Sequence, residues 1–143
     1  MKLLFRQKGG DVIQLNKSTD YAIRILLYLG KQNKACSTSE ISKAMMIPER
    51  ETSSLLKDMT NRRILNSVRG KHGGYQLDKP LKNISMYDVI SWTTKEMKIN
   101  ACLKDPKECS RNYTHMCKVR ECFQDLQELV DERLQSIKLN EFI

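Results

Sequence analysis

Apolar side chains recur along this chain at two different spacings. In STDYAIRILLYLGKQNK, which begins at Ser18, Tyr21, Ala22, Ile25, Leu26 and Leu29 lie three or four residues apart. That is the period of one helical face. Ser18 or Thr19 offers a capping oxygen, Asp20 sits in the first turn, and Lys31 and Lys34 lie at the end, each charge at the terminus that favours it. A short second helix is predicted over STSEISKAMMI, where Ser37 and Glu40 form a Ser-x-x-Glu capping box ahead of Ile41, Ala44 and Met45. Pro48 suits the first position of a third helix, in which Leu55, Leu56 and Met59 turn inward. Two short helices joined by about four residues make a helix-turn-helix pattern.

The period then shortens to two. Leu65, Ser67 and Arg69 alternate with Asn66 and Val68, GKHGG supplies turn glycines, and Tyr75 to Leu77 return as a partner strand. After this hairpin, ISMYDVISWTTKEM opens another helix with a second capping box, Ser85-x-x-Asp88. In VRECFQDLQELVDERLQSI the stripe Val119, Cys122, Leu126, Leu129, Leu134 and Ile137, with Phe123 and Val130 beside it, predicts a long amphipathic helix. The expected class is mostly α with a small β-hairpin. Three helices followed by a hairpin is the order of a winged helix-turn-helix domain, here residues 15–82. A connecting helix over 83–100, a cysteine-rich segment over 101–117, and a long helix with its tail over 118–143 complete the chain. Residues 1–14 show no clean period and contain a Gly-Gly pair, so they are read as an extension.

Charge sharpens this reading. The net charge of +8 resides wholly in the first 80 residues, which hold 15 Lys and Arg against 7 Asp and Glu, while the remainder balances. A local surplus of this kind suits a polyanion, above all nucleic acid. In PERETSSLLKD the face opposite the inward leucines offers Arg50, Ser53, Ser54 and Lys57, and a helix presenting such side chains near its N-terminus can enter the major groove. The hairpin tip carries Arg69, Lys71 and His72 among glycines that let the backbone approach a phosphate or a narrow minor groove, and no packing role is evident for those glycines. Lys17, Arg62 and Arg63 add candidate phosphate contacts. The competing reading of Lys57, Arg62 and Arg63 is an ordinary solvated face.

No apolar run reaches the roughly 18 residues that span a bilayer. YAIRILLYLG is interrupted by Arg24, and the N-terminus has no apolar stretch long enough for a signal peptide. The expectation is a soluble cytoplasmic protein, whose thiols are kept reduced.

That bears on ACLKDPKECSRNYTHMCKVREC, which holds Cys102, Cys109, Cys117 and Cys122, four of the five cysteines. An odd count in a reducing compartment argues against a disulfide framework. Of the gaps of six, seven and four residues, only that from Cys117 to Cys122, at the start of the predicted helix, comes close to the Cys-x2–4-Cys pairs of zinc sites, and the Cys-x2-Cys runs of ferredoxins are absent. From the residues alone a metal site, a redox-active group and plain small hydrophobes all remain open. The last suits Cys36. His115 has no nucleophile or acid that the sequence can place beside it, so no enzyme is expected.

Three stretches, STDYAIRILLYLG, IPERETSSLLKDMTNRRILNSVRGKHGGYQL and ISMYDVI, resemble the family of bacterial winged-helix regulators that includes IscR, NsrR and CymR. SVRGKHGGYQL is the most specific piece. The resemblance implies a homodimeric transcription factor, read here as a repressor, on a palindromic operator in double-stranded DNA, with no membrane role. The long C-terminal helix would be its dimerisation helix. By position, Arg50, Ser53 and Ser54 fall on the recognition helix and Arg69 on the wing. The pattern departs at Glu51 and Thr52, where the family usually has an aromatic and a leucine, and at Arg63, where it usually has glycine.

The resemblance further implies that Cys102, Cys109 and Cys117 hold an iron–sulfur cluster, [2Fe-2S] or [4Fe-4S], sensing redox, nitric oxide or iron status. The gaps here are longer than the family's usual five. Arg120 stands where IscR-type members carry a histidine ligand. Asp20 occupies the position of the aspartate that NsrR-type members supply from the partner subunit, and His115 is a further candidate. Cys122 aligns with an apolar helix position. Two alternatives stand beside this reading. One is a regulator of the same fold without a cluster, responding by thiol oxidation or by binding a small molecule or protein. The other is a small iron–sulfur carrier or zinc-stabilised module that binds no DNA.

Overall fold

The computed structural model describes residues 15–143; the N-terminal extension lies outside the described residues. Helix α1 (Lys17–Lys31) starts one residue before the predicted point, and its cap is neither Ser18 nor Thr19. Asn16 Oδ1 accepts from the Thr19 N–H at 2.8 Å. Thr19 is fully buried instead, and its hydroxyl shares a 2.6 Å hydrogen bond with that of Thr93. Asn16 Nδ2 also donates to Thr93 O at 2.8 Å. The cap therefore doubles as a tie to a segment far along the chain, which no local pattern reveals.

Helix α2 (Thr38–Met45) is capped by Ser37, whose Oγ accepts from the Glu40 N–H at 3.2 Å. The reciprocal half of the expected box is missing. The Glu40 carboxylate turns to Lys34 at 3.2 Å and to the Tyr28 hydroxyl at 3.4 Å. Lys34 is the main reason its pKa lies below the ordinary carboxylate value. Ile41 is buried as expected, but Ala44 is exposed. Met46 in the left-handed region (φ 54°) ends α2, and Pro48 is the cap of α3 (Glu49–Asn61) rather than its first residue. Leu56 and Met59 are buried and Leu55 is half-buried. Thr52 is also fully buried, its hydroxyl donating to Pro48 O at 3.1 Å.

Strands β1 (Leu65–Val68) and β2 (Gly74–Leu77) pair antiparallel, Leu65 opposite Leu77 and Val68 opposite Gly74. Arg69 lies in the turn rather than in the strand. Cys36 adds a one-residue third rung, exchanging backbone hydrogen bonds of 2.9 and 2.8 Å with Tyr75. This corrects the reading of the tip glycines. Gly74 has φ +150°, and a Cβ there would run into the Cys36 backbone; one on Gly73 would strike Val68 O. Both serve close packing. Gly70 alone faces open space, with φ +115°, a conformation that favours glycine.

Helix α4 (Met86–Thr93) carries the full capping box. Asp88 Oδ2 accepts from the Ser85 N–H at 2.8 Å, and Ser85 Oγ accepts from the Asp88 N–H at 3.1 Å. The cysteine segment is not a plain loop. It holds helix α5 (Ala101–Lys104) and the single 3-10 turns Pro106–Glu108 and Thr114–Met116. Helix α6 (Lys118–Ser136) then packs on α4 and α5.

The core joins Ile25 and Leu26 of α1 to Ile41, Leu56, Ile64, Leu65, Ile84 and Val89, and also to Leu139, which is fully buried. Leu139 lies beyond α6. The chain returns along residues 84–86, with Met86 N–H donating to Ile137 O at 2.9 Å and Leu139 N–H to Ile84 O at 3.0 Å. Burying such a side chain is worth about 1.5–3 kcal/mol. Among the described residues no helix is long and apolar enough to cross a membrane.

Candidate functional site

Two basic surfaces come from different elements. On α3, Arg50, Ser53, Ser54 and Lys57 are all exposed, because Thr52, Leu56 and Met59 commit the opposite face to the core. Neither Arg50 nor Lys57 has a carboxylate partner among the described residues. On the β1–β2 turn, Arg69, Lys71 and His72 are exposed and likewise unpaired. Lys17 and Arg63 are exposed, Arg63 with φ 57° just after α3. Arg62 is engaged with Asp58 at 2.9 Å.

Each cysteine has its own setting. Cys102 sits on α5, its N–H donating to Asn100 Oδ1 at 3.1 Å. Cys109 ends the first 3-10 turn and Cys117 caps α6. These three are half-buried, Cys122 is exposed and Cys36 is buried. Among the described residues no three His, Cys, Asp or Glu side chains converge as metal ligands, so the structure does not bring Cys102, Cys109 and Cys117 together. The Asp20 carboxylate pairs with Arg24 one turn on, at 2.6 Å. His115 is exposed, beside Thr114, Arg120 and Glu121. The backbone amides of residues 111–113 pull the Cys109 thiol below its usual pKa, that of Tyr113 contributing most. Burial pushes the Cys36 thiol up.

Three features escaped the sequence reading. Arg120 Nε donates to Cys102 O at 3.2 Å, tying α6 to the cysteine segment. Two turns on, Gln127 is only 4% exposed. Its Oε1 accepts from the Ile99 N–H at 2.8 Å, and its Nε2 donates to Met97 O at 3.2 Å and to Asp131 at 2.9 Å. Third, α6 has two faces. Arg120, Phe123, Gln127, Asp131 and Leu134 face inward, whereas Val119, Cys122, Leu126, Leu129 and Val130 are exposed, Leu129 by 63%. The sequence stripe mixed members of both. The spacing of Arg120, Gln127 and Leu134 was the available signal, but its polar members hid it. Beside the inward face, a cavity of about 740 Å³ is lined by Ile90, Met97, Ile99, Val130 and Leu134.

A model of the Rrf2 family, described as iron-dependent transcriptional regulator, matches residues 15–143. Protein aau3 of Rhizobium meliloti (strain 1021) is 29% identical over 93 residues, 64% of this chain and 60% of that protein, so the alignment spans less than two thirds of that relative. A chain of Aquifex aeolicus (strain VF5), described as an HTH-type transcriptional regulator, is 25% identical over 124 residues, 86% of each. Among solved structures, CymR (YrzC), the global cysteine regulator of B. subtilis, superposes with a TM-score of 0.72 at 22% identity, covering 92% of this chain and 96% of that one. IscR of T. potens superposes with a TM-score of 0.70 at 17% identity, covering 91% and 85%. At those identities the structures establish a shared fold, and the family match does more. With its helix-turn-helix, its basic hairpin and a family match over every described residue, this chain belongs to the Rrf2 family of transcriptional regulators, and is a DNA-binding protein rather than an enzyme.

Proposed function

We propose that the chain works as a homodimer on a palindromic DNA site and that residues 101–117 are its sensor. One observation carries this reading: the exposed apolar face of α6 belongs to a helix tied to the rest of the fold at both ends. Arg120 and Gln127 bind it to residues 97–102, and the chain after it is seated by Leu139 in the core. A second copy covering Val119, Leu126, Leu129 and Val130 would set the spacing of two α3 helices, and only one spacing fits two half-sites. Arg50, Ser53, Ser54 and Lys57 then meet bases and backbone in the major groove. Arg69, Lys71 and His72 meet the backbone or the minor groove. Binding of this kind weakens steeply as salt rises.

The family's description brings iron with it. The donor set suits an iron–sulfur cluster, since Cys102, Cys109 and Cys117 are thiols close in sequence. The arrangement does not fit one, because these thiols do not converge, and Asp20 is engaged with Arg24. The geometry supports thiol chemistry better. Cys109 is a free, half-buried thiol in a segment with no buried side chain, nearby backbone amides hold its pKa down, and a stabilised thiolate is the form that oxidants attack. Its attack on a peroxide O–O bond gives a sulfenic acid and releases hydroxide. The change would rearrange a segment that has no buried side chain, and Arg120 and Gln127 would pass it to α6. The cluster reading keeps two supports, the donor set itself and the family's description as iron-dependent.

Iron and sulfide quantification on anaerobically purified protein, alongside Cys102→Ala, Cys109→Ala and Cys117→Ala, separates the two. The thiol reading expects no iron and a peroxide-dependent change in duplex binding that Cys109→Ala abolishes. Stoichiometric iron that all three substitutions remove establishes the cluster instead. Failure to bind any duplex would remove both readings.

A further inference from the structure

We infer that Glu51 helps choose the DNA sequence, its carboxylate accepting a hydrogen bond from the exocyclic amino group of a cytosine in the major groove. The inference rests on the docking of α3 proposed above. Glu51 is the third residue of α3 and is exposed. The next residue fixes its direction: Thr52 is fully buried, its hydroxyl holds Pro48 O at 3.1 Å, and Leu56 lies one turn on in the core. Successive helical residues turn by about 100°. Glu51 and Ser53 therefore flank the outward face, with Arg50 and Ser54 between them. It is the N-terminal end of a recognition helix that meets base edges.

Of the carboxylates near it, two are engaged, whereas Glu51, like Glu49 at the start of α3, is not. Asp58 pairs with Arg62, and Glu40 with Lys34. Glu51 has no ion pair and no side-chain hydrogen bond among the described residues, although Arg50 is its neighbour in sequence. Phosphates repel a free carboxylate, so against DNA it opposes binding unless it meets a donor. In the major groove only cytosine N4 and adenine N6 donate. Adenine sets its N7 acceptor beside that amino group, facing the second carboxylate oxygen with like charge. Cytosine offers the donor alone. Guanine and thymine present acceptors and are rejected. In a symmetric dimer the choice would appear once in each half-site.

A first-turn carboxylate also favours the helix dipole, which stabilises α3 but carries no base preference, so the test must read sequence. Wild type, Glu51→Ala and Glu51→Gln are each used to enrich bound duplexes from a pool with a randomised centre. The winning duplex and its single-base variants are then titrated. Wild type is expected to enrich cytosine at one position per half-site, preferring it by on the order of tenfold to a hundredfold. Glu51→Ala should keep the rest of the motif, lose that preference and bind duplexes without the cytosine more tightly than wild type does. Glu51→Gln should move the preference toward adenine, the base that glutamine reads. A Glu51→Ala motif identical to that of wild type overturns the inference and leaves α3 docking intact. A wild type that enriches no sequence overturns both.

Discussion

The DNA-reading part and the cysteine segment are held by different forces. In the first, Ile25, Leu26, Ile41, Leu56 and Leu65 from separate elements are sealed in one core, and its hairpin is pinned to Cys36 by two backbone bonds. In the second, no side chain of α5 or of either 3-10 turn is buried. It is shaped by short-range caps, Asn100 onto the Cys102 N–H at 3.1 Å and Asp105 onto the Lys107 N–H at 2.9 Å, with the Arg120 tie from α6. A sealed core opens as a unit, at close to the full cost of unfolding. Hydrogen bonds of the second kind each contribute about 1 kcal/mol and can be exchanged singly. The contrast teaches that one half can change shape while the other stays folded, which is what the proposed sensor, joined to a reader, needs.

The sharpest way to break this contrast is Leu139→Ala. The side chain is sealed among core residues, so the loss should be about 2–5 kcal/mol, read as a lower midpoint in urea unfolding. A loss no larger than that of a surface substitution would show that the tail does not belong to the reader's core. Gln127→Ala comes next. It leaves the Ile99 N–H and Met97 O without their partner, at about 1–3 kcal/mol. Its more telling effect would be on coupling: duplex binding should stop responding to modification of the cysteine segment while residual affinity persists.

The thiols supply a pH test. The Cys109 pKa is lowered, mainly through the backbone amide of Tyr113, so at neutral pH it holds more thiolate than an ordinary cysteine, and its alkylation should fall only as pH drops through that lowered value. By linkage, the stability this adds is present above the unfolded pKa and lost on the same descent. Cys36, raised by burial, should resist alkylation until the protein unfolds. Peptide mass mapping over a pH series reads both, and equal rates would remove the distinction. The smallest effect belongs to Arg62→Ala, which breaks a solvent-exposed pair with Asp58 and should cost under about 1 kcal/mol. A larger loss would mean that the pair props α3.

What was legible in the chain follows from range. The α1 stripe, the Ser85–Asp88 box and the hairpin are local signals, and they appear within a residue or two of where the pattern put them. The exposed positions of Arg50, Ser53, Ser54 and Lys57 followed from the burial of the opposite face. The Asn16–Thr93 tie, the Gln127 clamp and the seat of Leu139 join residues more than 25 positions apart, and no window along the chain contains both partners. The tip glycines were half understood for the same reason, since the backbone they must clear at Gly74 belongs to Cys36. The spacing of the cysteines carried the least. It showed three thiols in one segment but not whether they meet.

The seat of Leu139 also bears on when the protein becomes competent during its own synthesis. Domains tend to fold as the ribosome delivers them, N-terminal parts first. Here the reader's hairpin ends at Leu77, yet the core beneath it waits for a leucine made more than fifty residues later. Between the two come the cysteine segment and α6. A nascent chain therefore cannot present a finished reader before its cysteine segment has been translated.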